Sequence, residues 1–162
     1  MFVPIKYLPK RLSNRDKIRQ RLALIKSRKL YHKGKYIHRK SLKSFTNKKS
    51  QHILNAERIY KIKNLSINSD LIKKTGCTRK ALNKIVKKGQ GAYYSSGSRP
   101  NQTAHSWGIA RLASSITSGK AAAVDYNILL EGCKPGSKAL KLAKKSRIKN
   151  GYGTRKVKKV KI

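Results

Sequence analysis

The sequence predicts a mainly α protein, a small helical domain with extended basic arms at its N- and C-terminal ends. Three observations predict it. Apolar residues recur at spacings of three and four in successive stretches, with capping residues before them and glycines after them. Charge is heavily one-sided: 42 of 162 residues are Lys or Arg, five are acidic, and the formal charge is +37. That charge is also uneven. Residues 1–64 hold 20 basic side chains, 65–90 seven, 91–133 three and 134–162 twelve. The near-neutral stretch from Gly89 to Gly132 carries the one Trp, a Tyr-Tyr pair and most of the alanine, so it can bury a core. The expected division is a basic arm with one helix over 1–50, a helical core domain over 51–150 and a basic tail over 151–162.

In chain order, Met1 to Leu12 carries Pro4 and Pro9 and reads as an extended lead-in. Asn14 to Lys29 is a helix, capped by Ser13 or Asn14, with Asp16 in its first turn. Ile18, Leu22 and Ile25 form its apolar stripe, surrounded by Arg and Lys, so the helix either lies solvated on the core or faces a polyanion. Leu30 to Ser50 has no helical period. Its Tyr31, Tyr36 and Phe45 interleave with basic residues, a pattern that suits a segment lying along a nucleic acid or threading between neighbours, or a loose basic arm. Gln51 to Lys61 is a second helix, with Ile53, Leu54, Ala56 and Ile59 inward.

Ser69 to Lys88 reads as two short helices. Ser69 or Asn68 caps the first and Gly76 ends it in the left-handed conformation. Thr78 caps the second, with Leu82, Ile85 and Val86 inward and Lys80, Lys84, Lys87 and Lys88 outward. The pair is either a helix-turn-helix or an ordinary helical hairpin. Ile72 stands where the DNA-binding motif needs a small residue, and a lysine face suits phosphates better than base edges.

Gly89-Gln90-Gly91 is expected to break that helix. A polar loop follows, in which Gly89, Gly91, Ser95, Ser96, Ser98, Asn101, Gln102 and Thr103 can form an anion nest beside Arg99, or simply a structural connection. It is not a Walker loop, because the lysine and Ser/Thr that should follow the glycines are absent. Thr103 to Ser118 is the best-buried helix through Ile109, Leu112, Ala113 and Ile116, with Trp107 as core or stacking platform. Lys120 to Glu131 is a further core helix. Ser137 caps a last one to Asn150, buried through Ala139, Leu140 and Ala143, with Lys138, Lys141, Lys145 and Lys149 in a row. The tail carries Arg155, Lys156, Lys158 and Lys159 among Val157, Val160 and Ile162, and can add a strand to a partner or remain a solvated tag.

Such charge requires a polyanionic or acidic partner: nucleic acid, an anionic membrane surface or an acidic protein lattice. No apolar run approaches the roughly 20 residues of a membrane span. The start lacks a signal peptide's apolar centre, and its lysines and prolines argue against a mitochondrial presequence. Cys77 and Cys133 give neither zinc spacing nor a disulfide framework, and point to a reducing place of synthesis. The scattered acids and the lack of a catalytic or metal-ligand spacing predict no enzyme, no cofactor, no metal and no small-molecule substrate.

The string KKGQGAYYSSGSRPNQTAHSWGIARLASSITSGKAAAVDYNILLEGC, together with KSLKSF, TGCTRKAL and SKALKLAKKSR, resembles an uncharacterised family of basic domains. That family is found in large icosahedral double-stranded DNA viruses of algae and amoebae, and in some large phages. The resemblance runs from about Lys35 through Arg147. It implies a viral setting. The function expected from it is that of a minor capsid protein, made in the host cytoplasm and placed on the capsid's interior face. Its arms would bridge capsid proteins and touch the inner membrane or packaged DNA. The rival expectation is a nucleic-acid-binding protein, genome-condensing or ribosome-associated.

Overall fold

The computed structural model describes residues 1–153 and 157–162. The protein is mainly helical, with eight α-helices and one two-stranded sheet among the described residues. It divides into two compact units: one from residues 1–48, 90–107 and the described C-terminal end, the other from 49–89 and the described part of 108–155.

In the first unit, β1 (Phe2–Pro4) pairs antiparallel with β2 (Lys159–Lys161), Val3 standing opposite Val160. The tail therefore adds its strand to its own N-terminus. A 3-10 turn over Ile5–Tyr7 follows, and Val3, Tyr7 and Leu8 bury against Leu24 with Trp107 and Val160 beside them. Trp107 meets Tyr7 edge to face, centroids 5.8 Å apart, which makes it a packing residue.

Helix α1 (Asn14–Tyr31) starts where expected, with the Asp16 N–H donating to Ser13 Oγ at 3.2 Å. Its inward face is not the expected one. Asp16, Gln20, Leu24 and Ser27 are buried, while Ile18 and Leu22 stand 56% and 62% exposed. Polar bonds decide the rotation. The Ser44 N–H and Oγ donate to Asp16 Oδ2 at 3.0 and 2.7 Å, and Gln20 Nε2 donates to the carbonyls of Tyr7 and Ser98. Residues 35–42 and 45–50 carry no regular structure, with a turn at 43–44 between them, but they are held closely. Asn101 Oδ1 accepts from the Leu42 N–H at 2.7 Å, and its amide donates to the carbonyls of Leu42 and Phe45. Phe45 buries with Leu12 and Leu42 under the Arg11 guanidinium.

The second unit holds the larger core. Helix α2 (Gln51–Tyr60) contributes Ala56 and Tyr60, α3 (Ser69–Thr75) Leu71, and α4 (Arg79–Ser95) Leu82, Ile85 and Val86. From α5 (Ala104–Ser115) come Leu112 and Ala113, with Ile116 following; α7 (Tyr126–Gly132) adds Leu129 and α8 (Lys138–Asn150) Ala139, Leu140 and Ala143. Leu54 of α2, expected inward, is 42% exposed. The expected single helix over Lys120 to Glu131 is interrupted: α6 (Lys120–Val124) and α7 are separated at Asp125, whose carboxylate turns inward. Cys77 and Cys133, expected to be unpaired, form a disulfide. They sit opposite each other in an antiparallel bridge, with the Thr78 N–H donating to Gly132 O and the Lys134 N–H to Gly76 O, both at 2.8 Å. Residues 56 apart in sequence meet because two helical hairpins put their turns side by side.

Candidate polyanion interface

The lysine face of α4 is built from its ends inward. Asn68 Oδ1 accepts the Leu71 N–H at 2.9 Å to cap α3, and Gly76, at φ +75°, ends it. Thr78 Oγ1 then accepts the Ala81 N–H at 3.2 Å to start α4. The turn between them is held by the disulfide. A Cβ on Gly132 would stand 2.2 Å from that of Ala81, so the first turn of α4 lies close against the end of α7. With Leu82, Ile85 and Val86 buried, Lys80, Lys84 and Lys87 are exposed along the opposite side. Lys88 is shared: its Nζ lies 3.0 Å from Asp125 Oδ1.

On α8, Lys141, Lys145 and Lys149 stand exposed in the predicted row, and Lys144 and Ile148 lie beside them. Lys138 is spoken for in part, donating to the Ile59 carbonyl at 2.9 Å and lying over the Tyr60 ring. Arg147 turns the other way, donates to the Ala123 carbonyl and stacks on Tyr126 and Tyr152. In the first unit Arg99, Lys158 and Lys159 are exposed. Arg155 and Lys156 lie outside the described residues.

Four of the five acidic side chains sit in ion pairs, while Glu131 of α7 is exposed. Asp16 pairs with Arg19, Glu57 with Lys49, Asp70 with Lys74, and Asp125 with Arg111 and Lys88. Burial alone would raise the Asp125 carboxyl, but hydrogen bonds and charge from Arg111, then Lys88, hold it below the usual carboxylate range. Bonds from the Ser44 side chain and backbone, with Arg19, lower Asp16 in the same direction. Among the described residues no group of three or more His, Cys, Asp or Glu could hold a metal.

Residues 4–130 match the model of a family of unknown function (DUF5824). The chain belongs to that family. No curated protein and no solved structure matches it. The matched residues include the α4 lysines and the loop after α4, while the α8 row and β2 lie beyond them.

The predicted anion nest does not form. Gly89 and Gly91 are helical residues of α4, which continues to Ser95. Packing of Ile85 and Val86 before the glycines and Tyr93 after them outweighs a cost of about 1 kcal/mol per glycine. The stop comes at Gly97, φ +92°, whose N–H and that of Ser96 both reach the Ala92 carbonyl. The other loop groups bond within the fold. Ser95 and Ser96 hydroxyls meet each other, Ser98 is buried, and Asn101 holds residues 42–45. Ser106 bonds both Gln102 and Thr103, and Thr103 Oγ1 caps α5 by accepting the Ser106 N–H.

What sequence reasoning missed is Arg39. Its guanidinium lies 3.7 Å from the Tyr93 ring centroid and donates to Ser27 Oγ, Tyr93 O and Ser98 Oγ at 3.1, 2.9 and 2.7 Å. Burial depresses its pKa. One arginine among many basic residues gives no signal in the sequence, and only the fold separates it from its neighbours.

Proposed function

We propose that this protein is a structural, polyanion-binding component of a viral particle, a minor capsid protein that faces packaged nucleic acid and acidic capsid neighbours with basic helix surfaces. The observation that carries the binding role is the pair of lysine rows on α4 and α8. They project from well-packed helices, and four of the five acids are committed to ion pairs, leaving Glu131 as the one exposed acid outside them. Immobilised rows lose less entropy on meeting a phosphate backbone than a disordered arm would. The viral setting rests on the resemblance of the GAYYSSGSRPNQT region.

The expectation of loose bridging arms needs revision within this proposal. Residues 1–48 are tied down by Asp16, Arg39 and Asn101, so fastening falls to helix faces. A second reading, genome condensation or ribosome association outside a particle, draws on the same lysines. No enzymatic role is proposed, since Asp16 and Asp125 are consumed in structural bonds.

The binding role is tested by fluorescence anisotropy on labelled duplex DNA across a salt series. Replacing Lys80, Lys84, Lys87, Lys141, Lys145 and Lys149 by Gln should weaken binding to all sequences alike. The slope of log K against log salt should fall by roughly one for each phosphate that is no longer neutralised. An unchanged slope would remove these faces from the interface. The setting is tested by gentle disruption of purified particles: recovery of the chain with neither shell nor core would leave only the second reading.

A further inference from the structure

Helix α1 wears its apolar residues on the outside. Asp16, Gln20 and Ser27 are buried with Leu24, whereas Ile18 and Leu22 are exposed and Ile25 is half-buried. At 100° per residue these three aliphatic side chains fall within a 60° sector, along about 10 Å of helix. Arg15 and Lys26 flank them on one side, Arg21 and Arg28 on the other, all exposed. At its C-terminal end the stripe runs into a shallow depression where Ile25 meets Met1 and Ile162, edged by Arg28, Lys29 and His32. The helix's one acid, Asp16, points away from this surface into its bonds with Ser44.

We propose that this face of α1 docks on an anionic lipid surface, lying in the plane of the interface. The proposal goes beyond the reading above, which concerns α4 and α8. Three features select a bilayer. The surface is a convex ridge, with an apolar crest and cations on both flanks, the arrangement that lets aliphatic side chains enter the headgroup layer while arginines reach phosphates. A protein interface of ordinary size covers about 800 Å² per partner around an apolar centre, which a single row of three aliphatic residues does not supply. A second copy of this chain would bring arginine against arginine. No helix of the described residues is long and apolar enough to cross a membrane, so the contact is peripheral.

The test uses the full chain and vesicles of phosphatidylcholine with or without phosphatidylserine, at about 0.15 M salt, where screening acts beyond roughly 8 Å. The chain should co-sediment with the anionic vesicles. The double variant Ile18→Ser, Leu22→Ser keeps every charge and should lose at least about tenfold in partitioning, since two aliphatic side chains no longer leave water. Its melting temperature and its affinity for duplex DNA should match the parent's, which separates this result from failure of the nucleic-acid reading. In a Leu22→Trp variant, emission beyond that of Trp107 should shift to the blue on vesicles and be quenched by brominated lipid. Equal partitioning of parent and double variant would reduce the effect to charge adsorption and overturn the proposal. So would absence of vesicle binding together with self-association that the double variant abolishes, which would assign the stripe to a second copy.

Discussion

Asp125 shows how one acid among many bases becomes structural. Arg111 grips it through Nε and Nη2 at 2.9 and 2.8 Å, Ser115 Oγ donates at 3.0 Å, and Lys88 completes the set. The carboxylate is fully buried, so removing its charge would strand Arg111. Asp125→Asn should cost about 3 kcal/mol, measurable by urea denaturation. Asp16 and Asp125 are both held below the ordinary carboxylate value. Their contribution is therefore present above the unfolded value near 4 and is lost as pH falls through their lower folded values. The melting temperature of the parent should hold steady from neutrality to about pH 5 and fall more steeply below about pH 4, and Asp125→Asn should show a shallower acid limb. Arg39 is the reverse case. A cation is set among a ring face, two hydroxyls and a carbonyl, with its charge spread over neutral dipoles.

At the scale of elements, α1 and α4 both disobey their local sequence. The apolar stripe of α1 faces out because Asp16 and Gln20 find fixed partners on Ser44, Tyr7 and Ser98, and a buried polar group without a partner is more costly than an exposed leucine. The two glycines in α4 fail to stop it because core residues flank them. Gly91 has no heavy atom within 4 Å of the Cβ it lacks. Gly91→Ala should therefore stabilise the protein by about 0.5–1 kcal/mol, seen as a raised denaturation midpoint. Gly97→Ala should do the opposite. Its φ is +92° and a Cβ there would lie 2.6 Å from Leu24 Cδ2.

Over the whole molecule, two features weigh most: a charge of +37 and one disulfide. The disulfide closes a loop across 56 residues, and reduction should remove about 2–4 kcal/mol. Melting in the presence and absence of dithiothreitol, with Cys77→Ser, Cys133→Ser as control, measures it. A melting point indifferent to reductant would show that packing alone holds the two turns together. Helical class, most helix starts and the outward lysines of α4 and α8 were legible beforehand, because periodicity, caps and charge are local properties written residue by residue. Other features were not, among them which face of α1 turns inward, where α4 ends, the break at Asp125, the pairing of the tail with the N-terminus, the pairing of Cys77 with Cys133 and the setting of Arg39. Each depends on a partner far along the chain, and a residue's neighbours in sequence carry no record of what long-range packing will bring against it.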